Sequence, residues 1–144
     1  MLMQSFKLMI VVVCLLALSA ATVSAQNSHR FEIEVPFQFV MNGRTLPAGR
    51  YLIDRMDPNQ PNILMFKNRK RGIARLIIMQ RVESENPSDA SCLVFVRRDE
   101  KYYLFRVWAL GEKNGNEIPS MAGHVKPYPD TKNLTLVTLK AGSP

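Results

Sequence analysis

Of the two residue types most versatile in proton transfer, nucleophilic attack and metal binding, the chain has two histidines, His29 and His124, and two cysteines, Cys14 and Cys92. General acid–base work needs a titratable group held beside a partner. The two histidines are far apart in the chain, so a metal site using both would need carboxylates gathered by the fold alone. His29 also falls near a chain end once the leader described below is removed, where order is poor. No nucleophile elbow, HExxH pair, glycine-rich phosphate loop or CxxC motif is present. The chain therefore reads as non-enzymatic, with no catalytic residue, no metal ligand and no cofactor.

Two other groups of residues could bind rather than react. Lys67, Arg69, Lys70 and Arg71, with Arg75 close behind, form the densest run of charge. Such a run suits an anion, either a phosphate-bearing lipid or an acidic glycan. The competing reading is a solvated hairpin tip. The second group is Phe95, Arg97, Tyr102, Leu104, Arg106 and Trp108, which with Leu93 alternate along two neighbouring segments. Aromatic residues interleaved with arginine are enriched at interfaces and in binding hot spots. The competing reading is that another strand or the proline-rich segment covers this face.

These residues need strands to position them. Phe31, Ile33, Val35, Phe37, Phe39 and Met41 alternate with polar neighbours, the signature of a half-buried strand. Pro36 lacks a donor and places that strand at a sheet edge. Asn42-Gly43 predicts a type I′ hairpin turn, and Pro47–Gly49 a second turn. Ile63–Phe66 is a short strand. Ile73–Arg81, apolar on both faces, predicts a central strand. Glu83–Ser91 is a polar loop. Cys92–Arg97 and Tyr102–Leu110 predict a hairpin in which Arg97 opposes Tyr102. In that register Cys92, Val94, Val96, Tyr103, Phe105 and Val107 form the core face, leaving the mixed aromatic and arginine set outside. Leu134–Leu139 closes the chain as a last strand. About eight strands with recurrent turns predict an all-β fold: a single small antiparallel β-sandwich, or alternatively a small closed β-barrel.

The N-terminus carries Lys7, then the apolar run Leu8–Leu18, then small residues ending in Val23 and Ala25 at the −3 and −1 places of a cleavage site. Those zones predict a signal peptide over residues 1–25 and a single β domain over 26–144, exported to the periplasm or beyond the cell. The apolar run is too short for a transmembrane anchor, and Cys14 inside it, after bulky Val13, does not suit a lipoprotein. Cleavage would leave 119 residues. Lys7 leaves with the leader, so eighteen cations would face twelve carboxylates, a net charge of +6. A basic surface favours anionic partners, and export argues against nucleic acid. Cys92 alone would remain, a thiol expected in the core.

Two stretches, Val35–Tyr51 (VPFQFVMNGRTLPAGRY) and Glu100–Pro119 (EKYYLFRVWALGEKNGNEIP), resemble a group of small exported β proteins from acidobacterial-type soil bacteria. Those proteins share VPFxF…LPAGxY and YxLxxVW segments in this order. Here Ile118 stands where leucine is usual, and the tail after Pro119 does not follow the group. The resemblance implies a shared fold and an envelope or secreted location, and brings no catalytic residue with it. Two functions are compatible with these observations. One is a binding or structural module that meets an anionic envelope component or another protein. The other is a small-ligand carrier whose barrel encloses an apolar cavity.

Overall fold

The computed structural model describes residues 1–4, 29–119 and 135–142. The rest of the expected leader, His124 and most of the tail after Pro119 lie outside the described residues.

The described chain is nearly all β, in two sheets. The first has four strands in the order β1-β4-β5-β6: β1 (Phe31–Val35), β4 (Gly49–Arg55), β5 (Ile63–Asn68) and β6 (Ile73–Ile78). The second runs β11-β8-β9-β10-β7, from β11 (Thr135–Lys140) through β8 (Cys92–Arg98), β9 (Lys101–Trp108) and β10 (Asn114–Glu117) to β7 (Gln80–Glu83). The hairpin of β2 (Phe39–Met41) and β3 (Arg44–Leu46) joins the second sheet through β9. Tyr51, Ile53 and Phe66 of the first sheet meet Phe39, Leu93 and Phe95 of the second, all at 1% exposure or less. Burial of each such side chain contributes roughly 1.5–3 kcal/mol. With Cys92 the one cysteine among the described residues, this shared core holds the sheets together. Among the described residues the sheets do not close on each other, so the fold is the sandwich rather than the closed barrel.

The alternation from Phe31 to Met41 is kept, but across two sheets rather than one strand. Ile33, Val35, Phe39 and Met41 are buried while the chain crosses between sheets at Pro36–Gln38. Pro36 cannot extend β1 because it has no N–H to donate, and β1 is an edge strand as expected. Asn42 and Gly43 adopt φ of 50° and 73°, the positive pair that a type I′ turn requires.

Three expectations are corrected. Among the described residues eleven strands are present rather than about eight, because crossovers split long apolar runs and the polar segment Asn114–Glu117 adds to the sheet. Pairing is not wholly antiparallel, since β2 runs parallel to β9 at Phe39↔Tyr102 and Val40↔Tyr103. The run Ile73–Arg81 is not a central strand. It divides at Met79, whose N–H donates to the Asn62 carbonyl at 2.8 Å, into β6 and β7 at the edges of different sheets. Its second apolar face is therefore at the surface, with Leu76 54% and Ile78 68% exposed.

Candidate functional site

The cations of the basic run are brought together at the end of the β5–β6 hairpin. Lys67 and Asn68 end β5, Arg69–Gly72 turn the chain, and Ile73 begins β6. Asn68 holds the turn from inside. It is 2% exposed, and its Oδ1 accepts the backbone N–H of Arg71 at 3.1 Å. Its amide also bonds the Tyr51 hydroxyl, which donates to the Pro47 carbonyl at 2.6 Å. Gly49 makes room for this arrangement, because a Cβ there would sit 2.8 Å from Asn68 Nδ2. Burial pushes the Tyr51 hydroxyl above its ordinary pKa, against the opposing effects of Asn68 and the Arg71 charge.

These contacts make the tip a preorganised feature rather than a loose end. Asn68→Ala is expected to cost about 1–3 kcal/mol, by orphaning the partly buried Arg71 N–H, and to speed amide exchange across residues 69–72. Urea unfolding and hydrogen exchange would measure both. Exchange as slow as in the parent would show that Asn68 does not hold the turn.

The tip borders an open groove of about 490 Å³ on the outer face of the first sheet. Lys67, Arg69, Lys70, Arg71 and Arg50 line it, against the two carboxylates Glu32 and Glu34. One of those carboxylates is engaged already, since Arg50 Nε lies 3.4 Å from Glu34 Oε2. The groove thus keeps an excess of positive charge. Strand register extends the same face toward β6. Lys67 opposes Ala74, Met65 opposes Leu76 and Ile63 opposes Ile78, so the exposed Leu76 and Ile78 share the outer face with Lys67. Arg75, expected near the tip, alternates to the opposite side of β6.

The other expected binding face does not exist as a unit. Arg97 opposes Tyr102 and Phe95 opposes Leu104 as the hairpin register requires. Between Val94 and Phe95, however, a bulge shifts the pairing by one, so Val94 meets Arg106 and Cys92 meets Trp108. An extra residue in one strand reverses the faces beyond it. Phe95 and Leu104, which lie before the bulge in the expected register, point into the core at 0% and 3% exposure because the core takes the face expected to be outside. Tyr102 is half-buried, stacked on Phe37 at 3.7 Å between ring centroids, while Arg97 is exposed above it at 5.8 Å. Arg106 and Trp108 lie on the outer side. Arg106 Nε is 2.6 Å from Glu117 Oε2, and its guanidinium covers the Phe105 ring at 4.5 Å.

Cys92 is buried as expected, at 7% exposure, but on that outer side of the second sheet rather than in the central cluster. Burial raises its thiol pKa, opposed by the Lys140 charge and a hydrogen bond with Ser88. His29 is held in place, with Nε2 3.2 Å from Glu112 Oε1. Sequence reading missed that pairing because nothing local links residues so far apart. A scan against protein-family models, a search of curated proteins and a search of solved structures each return no match.

Proposed function

We propose that this protein is an exported, non-enzymatic binding module of the cell envelope, whose contact surface is the basic groove at the β5–β6 tip. The observation that carries this reading is the gathering of Lys67, Arg69, Lys70, Arg71 and Arg50 around one open groove, with the turn pinned by Asn68. The apolar run after Lys7 and the small residues ending at Ala25 support export.

The partner that best fits is an anionic lipid surface. Cations near such a surface each contribute about 1 kcal/mol, and the exposed Leu76 and Ile78 add apolar side chains on the same face. A soluble acidic glycan would use the cations and leave Leu76 and Ile78 in water.

Sedimentation with phosphatidylglycerol-containing vesicles tests this. The parent is expected to sediment with them at low salt, and to remain free with zwitterionic vesicles. Lys70→Glu combined with Arg71→Glu is expected to abolish the binding, because it places carboxylates at the mouth of the groove. Binding undiminished in that double variant would remove the tip from the interface.

A further inference from the structure

At the opposite end of β4 a second cavity opens between the two sheets, with a volume of about 190 Å³. Arg55 is the last residue of β4 and continues the inward parity of Tyr51 and Ile53. Where those two fill the core, Arg55 brings a guanidinium to its margin. Arg81 of β7 lines the same cavity from the second sheet, with Asn116, which opposes it across the β10–β7 ladder. Asn62 of the β4–β5 connection and Glu112 contribute further polar groups.

The charges here are not balanced by their own neighbours. Arg55 Nε is buried and has no hydrogen-bond partner. Neither Arg55 nor Arg81 forms an ion pair among the described residues. Glu112 supplies one carboxylate against the two guanidinium groups, and its Oε1 also lies 3.2 Å from His29 Nε2. Burial, reinforced by the Arg81 charge and opposed by Glu112, lowers the Arg55 pKa from its ordinary value. Leaving a buried donor unsatisfied is costly, more so for a charged group, and a ligand that meets it recovers that cost.

We propose that this inter-sheet cleft is a second binding site, separate from the basic tip, that takes a carboxylate held between the guanidinium groups of Arg55 and Arg81. Guanidinium forks match a carboxylate in two parallel hydrogen bonds. The volume is about six times the ~30 Å³ that one water occupies in the liquid, which suits a small organic acid or the final residue of a peptide. The asparagine amides at the rim can meet the backbone or hydroxyl groups of such a ligand. Both sources present the same carboxylate.

Titration calorimetry on the full chain tests the proposal with acetate, N-acetyl-alanyl-alanine and the C-terminal amide of that peptide. The free-acid peptide is expected to bind and the amide is not. Acetate binding as tightly as the peptide would identify a free organic acid as the source, whereas much weaker acetate binding would identify a peptide terminus. Arg55→Gln and Arg81→Gln are each expected to weaken binding by about tenfold or more, the scale of one charge-assisted contact. Arg81 is exposed, so its variant tests the site even where loss of Arg55 disturbs folding. Lys70→Glu with Arg71→Glu is expected to leave this binding intact. Equal binding of acid and amide, or full affinity in Arg81→Gln, would overturn the proposal.

Discussion

Replacing Phe95 with alanine is expected to remove about 3–5 kcal/mol of stability and to leave the affinity of the folded protein for anionic vesicles unchanged. Phe95 is fully buried. Its ring meets Phe37 edge-on at 5.0 Å and Phe39 edge-on at 5.4 Å, so truncation opens a cavity where both sheets meet. A loss of that size is a large share of the 5–15 kcal/mol typical of a domain. Urea unfolding of parent and variant, read at constant m-value, gives the energetic half of the result, and vesicle sedimentation of the folded variant gives the other. A variant that stays stable but no longer binds would return Phe95 to a contact surface and contradict its place in the core.

Gly115→Val is the second large effect. Gly115 is buried in β10 beneath the Trp108 ring, and a Cβ there would lie 2.6 Å from Trp108 Cε3 and 2.8 Å from Cδ2. An indole ring is rigid, so the ring or the strand must move. Overpacking of this kind costs about 1–3 kcal/mol, which corresponds to a fall in melting temperature of roughly 5–15 °C for a protein of this size. Trp108 is the chain's one tryptophan, so its fluorescence reports the displacement directly. The variant is expected to melt earlier and to emit at longer wavelength as the ring lifts into water. Unchanged melting and emission would mean that Trp108 does not rest on Gly115.

These two positions also show what the sequence could and could not convey. The Phe31–Met41 alternation and the Asn42-Gly43 turn were legible because each is local: side-chain parity and positive φ depend on adjacent residues. The faces of the Cys92–Trp108 hairpin were not, because both are apolar. Leu93, Phe95 and Leu104 fill the core while Val96 and Cys92 are also buried on the far side, so composition alone does not choose between them. One bulge then carried Arg106 and Trp108 across. Likewise Ile73–Arg81 reads as a central strand by its apolar content, yet its place depends on where the chain crosses at Met79, a non-local event. The basic tip was legible as a charge run. The groove beside it was not, since it needs Arg50 and Asn68 from strands that meet only in the folded sheet.

The most direct measurement of the central claim is a residue-by-residue map of amide shift changes when the isotope-labelled protein meets small anionic bicelles. Binding through the basic groove predicts the largest changes at Arg50 and at residues 67–72, smaller ones at Leu76 and Ile78, and reversal of all of them as salt screens the charges. Changes centred instead on Arg97, Arg106 and Trp108, or perturbations indifferent to salt, would contradict the account.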